Sequence, residues 1–484
     1  MAEHFPNELW LMAIDYAPKS AVMNLSLTNR RLCHLSRPHL FAQFDFHPYA
    51  CDGADGNIKI PTQRVVNRAL KRLKFWASDV IAPLVRVCKI SPFDPDGRKL
   101  SATDNPHVLL GPFFDIITSF TNLRALFVDK VHLTQTGVLN LCLLPKLHTL
   151  HIEEYRLAPG QVVHFDSSKL QSLTHLRIHN DSWTTETDHS AWISLLCAEK
   201  IRTLELTLNP PELLNIDLPS FPHAQTIAVG LKLFAAPQNI RILSKFPAVQ
   251  VLSIQDAERP YGEWVGPGSR LPLDFKWPGL LCRYSGPFQT MNDILSIPTV
   301  THLSLNKRSL HPPDFFQELQ HGTPRNIASL SLPFKYFNNG LFDDLCGAFP
   351  ALTRVQLTIA NAESFTGLNW DEFHDWKAPF FLETLVTSLP ARIEQLSIHW
   401  NMDFESVLDV LPPFRKLGDA LLEKHRALNA LWLGMYGFTV RARKSPDGQI
   451  TAEEMLIRED EPHSVVLRIR REFNSSWDAL DPHV

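Results

Sequence analysis

Histidine is the side chain best suited to bind metal or to titrate near neutral pH. This sequence sets five of them, His151, His175, His179, His302 and His399, at alternate positions of short apolar segments. A metal centre would require them to converge. His175 and His179 stand at i and i+4 of an expected strand, which separates their rings by ~13 Å and excludes a shared ion. The fragment DEFHDW at 371–376 surrounds one histidine with three carboxylates. It lacks the HExxH spacing that puts two ligands on one helix face. DGADGN at 52–57 has alanine and glycine where ligands three and five of a calcium loop belong. Both fragments are expected to be solvated loops, and no metal or cofactor is expected. No GxSxG elbow, GxxxxGK(S/T) phosphate loop or GxGxxG fingerprint occurs, so no intrinsic catalysis is expected.

The elements that would carry these histidines repeat. An apolar residue, two variable ones, an apolar residue, one variable and an apolar residue recur as LRALFV (123–128), LHTLHI (147–152), LTHLRI (173–178), IRTLEL (201–206), VQVLSI (249–254), VTHLSL (300–305), IASLSL (327–332), LTRVQL (352–357), IEQLSI (393–398) and LNALWL (428–433). VRVCKI (85–90) and AQTIAV (224–229) are weaker members. Their starts are mostly 23 to 28 residues apart, which suits one helix and one strand per unit. FPHAQTI, FPAVQVL, IPTVTHL, FPALTRV and LPKLHTL each enter the strand through proline, which cannot continue a helix and favours extended chain. The preceding FQELQH and LFDDLCGAF have helical apolar spacing. The expected fold is therefore α/β, a helix-strand array whose strands stack in parallel. A β-sandwich would instead need strict alternation and short hairpin loops.

Composition limits the function classes. The 484 residues carry 47 Lys and Arg against 51 Asp and Glu, a formal charge of −4 that offers no general grip on a phosphate backbone. No nucleic-acid partner is expected. The seven cysteines never come closer than 18 residues, which suits scattered thiols of a reducing compartment. Glu3 and His4 stand where a secretory signal needs basic residues, and no run of 18 apolar residues could span a membrane. A cytoplasmic or nuclear location without membrane association is expected, with the sequons at Asn24, Asn180 and Asn474 unused.

The array resembles the leucine-rich repeat, with its LxxLxLxxN/C consensus, over roughly residues 80–436. Asparagine occupies the consensus position only at Asn209 and Asn401, so the resemblance implies an irregular solenoid with a parallel concave sheet. FTVRARKSPDGQ and HSVVLRIRREF, within 437–473, read as a strand cap with a Pro446-Asp447-Gly448 turn, and 474–484 as a polar tail. The rhythm breaks at 256–277 and 360–381, insertions rich in aromatic and charged residues.

The front of the chain reads differently. Pro6 and Glu8 suit the first turn of a helix over about 7–16. Leu9, Ala13 and Tyr16 form one stripe on it, and Trp10 and Ile14 another. Ser20 is placed to cap a second helix, and Thr28 or Asn29 a third. So few residues cannot bury all this apolar surface, which leaves a face for the repeats or a partner to cover.

FPNEL with Ile14, then VMNLSLTNRRL, then RPHLF at 37–41 resembles the F-box, here of the kind found in fungal F-box proteins with irregular leucine-rich repeats. Phe5 replaces the usual leucine, and Ala17 stands where a leucine usually follows. The resemblance implies an F-box at 1–46, with 47–79 as linker and helix. It further implies docking on the Skp-family adaptor, and through it cullin, of Skp-cullin-F-box ubiquitin ligases. Pro6, Glu8, Leu9, Ile14, Val22 and Leu25 would make that contact. An unknown protein substrate would be held by the residues that alternate with the buried strand positions. These are Phe127, Asp129, His151, Glu153, Arg177, His179, Glu205, His302, Arg354, Gln356 and His399, beside Gln395 and Ser397. The competing reading is a non-ligase scaffold whose N-terminal helices only cap the solenoid.

Overall fold

The computed structural model describes residues 6–46, 50–51, 58–59, 63–90, 109–129, 132–153, 156–157, 170–179, 190–206, 218–230, 239–255, 276–306, 310, 311–319, 326–335, 340–359, 385–400, 418–435, 438–445, 447–456, 470 and 473–474. They divide into two compact units, 1–249 with 257–278, and 250–256 with 279–484.

The first unit opens with α1 (Asn7–Tyr16), α2 (Lys19–Ser26) and α3 (Arg30–Leu40). Asn29 caps α3 by accepting the Leu32 amide at 2.8 Å. Ser20 does not cap α2: Pro18 occupies the N-cap position and Ser20 lies inside the first turn. Proline there fixes an extended entry and has no amide to leave unsatisfied, so no side-chain cap forms. Asn29→Ala is expected to cost about 1 kcal/mol, read as a lowered midpoint in thermal unfolding of the full chain.

Seven strands then stack side by side: β1 (Gln43–Phe46), β2 (Val87–Ile90), β3 (Ala125–Asp129), β4 (Thr149–Glu153), β5 (His175–His179), β6 (Thr203–Leu206) and β7 (Thr226–Gly230). Every adjacent pair is parallel. The helices α4 (Gln63–Trp76), α5 (Leu110–Ile116) and α6 (Gln135–Cys142) return the chain between strands. The sheet thus starts at Gln43, inside the segment assigned from sequence to the N-terminal module. QFDF is too short to carry the repeat signature, and its pairing with Val87–Ile90 is what defines it.

One device sets the register throughout. At each strand entry two successive amides donate to a single carbonyl of the preceding repeat. Arg86 and Val87 bond Ala42 O, Arg124 and Ala125 bond Arg86 O, His148 and Thr149 bond Arg124 O, and Thr174 and His175 bond His148 O. This fixes which residues lie side by side. Leu126, Leu150, Leu176, Leu204 and Ile227 consequently form one buried row, and Val128, Ile152, Ile178 and Leu206 another. The N-terminal end of this core is aromatic. Phe44 stacks on Trp76 at 4.5 Å and Phe46 on Phe113 at 4.8 Å, while Phe120 meets Phe44 edge-on at 5.9 Å.

The second unit continues the same grammar with β8 (Val251–Gln255), β9 (Arg283–Pro287), β10 (His302–Asn306), β11 (Ser329–Phe334), β12 (Arg354–Ile359), β13 (Gln395–Trp400) and β14 (Ala430–Met435), all parallel. The helices α7 (Met291–Leu295), α8 (Pro312–Leu319) and α9 (Leu341–Ala348) return the chain, as the FQELQH and LFDDLCGAF spacing predicts. An antiparallel hairpin, β15 (Phe438–Lys444) and β16 (Ile450–Leu456), pairs with β14 and closes the sheet. Its turn has Gly448 at φ 85°, a left-handed conformation that suits glycine. The second hairpin strand is ITAEEML; HSVVLRIRREF, the other segment expected in the cap, lies outside the described residues except for Arg470 and Phe473.

β9 is a rung absent from the repeat reading, because Gly286 stands where a third apolar residue would be. Tyr284 fills that space: a Cβ on Gly286 would fall onto its hydroxyl. That hydroxyl bonds Thr290 Oγ1, so the buried tyrosine keeps a polar partner.

Candidate interaction surfaces

In the first unit the outward positions align across strands by register. One row runs Asp45, Lys89, Phe127, His151, Arg177, Glu205 and Ala228. Neighbours in it interact: Lys89 Nζ lies 5.6 Å from the Phe127 ring centre, and that ring meets the His151 imidazole edge-on at 5.8 Å. His151 Nε2 approaches Glu153 Oε1 at 3.0 Å, and Arg177 Nε approaches Glu205 Oε2 at 3.3 Å. Phe127, His151, Glu153, Arg177 and Glu205 are all half-buried, so they form one connected polar strip with a single aromatic in it. Asp129 and His179 occupy the next register position beside Glu153. Half-exposed pairs of this kind contribute little to stability but can orient groups for a bound chain.

The matching row of the second unit is built mainly of serine: Ser253, Ser285, Ser304, Ser331, Gln356 and Ser397. Beside it run Arg283, His302, Ser329, Arg354 and Gln395. His302, Arg354 and Gln356 are half-buried and reachable. Gln395, Ser397 and His399 are not, which corrects the expectation that they face outward. Over Ser397 the cover is a distant residue. Arg470 is buried on this face, where Nε donates to Ser397 Oγ at 2.9 Å, Nη1 to Thr358 Oγ1 at 2.8 Å and Nη2 to Leu357 O at 2.8 Å. Burial pushes its pKa down to about 9, so it is a cation at neutral pH held by neutral acceptors. Phe473 continues the cover, 5.4 Å from the Trp432 ring, with the Arg443 guanidinium 4.6 Å over its own ring.

The N-terminal helices present a different surface. Pro6, Glu8 and Leu9 are exposed, and Leu25 is half-buried. Ile14 and Val22 are buried, so they hold the helices together and offer no outward contact in this arrangement. The outward apolar stripe of α1 is Leu9, Met12 and Tyr16, the last 88% exposed. On α2 it is Met23 and Leu27, the last 83% exposed. Met12, Tyr16, Met23 and Leu27 are not among the residues expected to make the contact; helical spacing from Leu9 was the signal available for Met12 and Tyr16.

Among the described residues no cluster of His, Cys, Asp or Glu could hold a metal ion. His175 and His179 lie along one strand as expected. The fragments at 52–57 and 371–376, the insertion at 360–381, and all of the insertion at 256–277 except 276–277 lie outside the described residues. Among the described residues, no helix is long and apolar enough to cross a membrane.

Parallel rungs, helical returns and a polar outer row define each unit as a leucine-rich-repeat-like solenoid of irregular period. No family model matches the sequence, and no curated protein does. Among solved structures, the crystal structure of a TLR13–ssRNA13 complex aligns over 72% of this chain at 13% identity, with a TM-score of 0.29. The chain spans about half, 49%, of the length of that one.

Proposed function

We propose that this chain is a non-catalytic substrate-recognition adaptor of a Skp-cullin-F-box E3 ubiquitin ligase. In this reading α1 and α2 dock on the Skp-family subunit, and through it on cullin, while the solenoid face holds the protein to be ubiquitinated. The observation that carries it is the exposed apolar stripe of Leu9, Met12 and Tyr16, with Met23 and Leu27, in a segment with the F-box residue order. Large apolar side chains this exposed on adjoining short helices favour a partner that covers them. The polar row from the exposed Lys89 to the half-buried Glu205 supports recognition of a protein chain by hydrogen bonds and one aromatic contact. The adaptor performs no bond chemistry. It raises the effective concentration of a substrate lysine near a charged conjugating enzyme, in the cytoplasm or nucleus.

Co-purification of the full chain with a Skp-family subunit is the direct test. The pair Leu9→Asp and Met12→Asp is expected to abolish it with the thermal unfolding midpoint unchanged, since both positions are exposed. A wild-type chain that never binds the subunit sinks the proposal.

One observation favours the scaffold reading. Phe41, at the end of α3, packs edge-on against Trp76 at 5.4 Å and Phe75 at 5.9 Å, as a cap would. Deleting 1–41, which leaves β1 whole, separates the two. A cap predicts loss of repeat folding, whereas an adaptor predicts folded repeats that no longer bind the ligase subunit.

A further inference from the structure

The chain as a whole is acidic, yet α4 is not. Between Gln63 and Trp76 it carries Arg64, Arg68, Lys71, Arg72 and Lys74 with no acidic residue. Val66, Leu73 and Trp76 bury one face of it. Arg72 leans back on the fold, its guanidinium 6.0 Å from the Phe44 ring centre and 3.4 Å from Asp45 O. Arg64, Arg68 and Lys71 are exposed and make no ion pair among the described residues. They fall eleven, seven and four positions before Phe75, so all lie on the helix face that ends at Phe75.

Phe75 is 51% exposed and forms one wall of a groove that encloses about 340 Å³. Leu40, Phe41, Ile81 and Val80, itself 60% exposed, form the other apolar walls, and Arg37 carries positive charge into it. The nearest acid in sequence is Asp79, the only one between Pro61 and Phe93. A line of exposed cations, without an ion pair among the described residues, therefore leads towards an apolar slot.

We propose that α4 and this groove form a second interaction surface, whose occupant is an acidic protein segment carrying an apolar anchor. The carboxylates would lie along Arg64, Arg68 and Lys71, and the anchor would enter beside Phe75 and Val80. Charge complementarity steers such a segment, and the slot makes it specific. The net charge of −4 disfavours a long polyanion, and an oligonucleotide that stacked a base on Phe75 is separated from an acidic peptide by the test below. The groove meets α2 at Ser26 but uses none of Leu9, Met12, Tyr16, Met23 and Leu27, so peptide binding is read separately from the Leu9→Asp and Met12→Asp test of the ligase proposal.

The test uses the full chain and a fluorescein-labelled peptide of glutamates flanking one Leu-Phe pair, read by fluorescence anisotropy. Binding is expected, with roughly tenfold loss for Arg68→Glu combined with Lys71→Glu, for Phe75→Ala, and for a peptide in which Ala-Ala replaces Leu-Phe. Circular dichroism melts check each variant. Should Phe75→Ala disturb α4, Val80→Asp on the opposite wall must produce the same loss in a folded chain. Absence of peptide binding overturns the proposal. So does equal binding by polyglutamate, by a single-stranded oligonucleotide or by phosphatidylserine vesicles, because each would reduce the surface to an unselective cation strip.

Discussion

Phe113→Ala is expected to lower the stability of the first unit by about 3–5 kcal/mol, the cost of emptying a large aromatic site in a packed core. Phe113 is completely buried and touches three other rings: Phe46 stacked at 4.8 Å, Phe114 edge-on at 5.2 Å and Phe44 at 6.3 Å. These rings join β1 to α5. The loss should be local, because each rung of a repeat array draws stability mainly from its neighbours. Hydrogen exchange read by mass spectrometry should show lost protection in 43–46, 87–90 and 109–120, with 393–433 unchanged. A uniform loss across the chain would mean that the array unfolds as one block.

Arg470→Ala should act on the second unit. It removes four hydrogen bonds, counting the longer one from Nη2 to Ser397 O at 3.3 Å, and takes the donor from buried acceptors of Ser397 and Leu357 and from the half-buried Thr358. The expected cost is about 2–4 kcal/mol, seen as faster proteolysis after residue 456 and faster exchange in β12 and β13. Arg470→Met tests the cause. Removing a buried cation that has no carboxylate beside it among the described residues also removes a desolvation penalty, so a well-packed methionine is expected to be markedly less harmful than alanine. Equal damage from both would assign the role to the hydrogen bonds alone.

The periodic strands were legible because apolar positions two and three apart must face one core, and the structure places LRALFV, LHTLHI, LTHLRI and IRTLEL in neighbouring rungs. The first helix was legible from Pro6, Glu8 and its two stripes. What stayed hidden depended on partners far along the chain. β1 is defined by pairing, and β9 by a tyrosine that fills the volume left by Gly286. The burial of Ser397 depends on Arg470, 73 residues beyond it. Alternation along a strand tells which side a residue faces but not what lies over it. The exposed stripe on α1 was half legible: spacing separated Leu9 from Ile14 but could not say which of the two stripes turns inward.

The paired-amide entry to each strand has a mechanical consequence. Within each unit the interstrand bonds run from rung to rung, across the strands rather than along them. Tension applied along the stack would load one rung's bonds at a time and peel the sheet in sequence, as a zipper opens, instead of shearing many bonds together. Such a chain yields at low force and in steps, and it can pay out one repeat while the next keeps its shape.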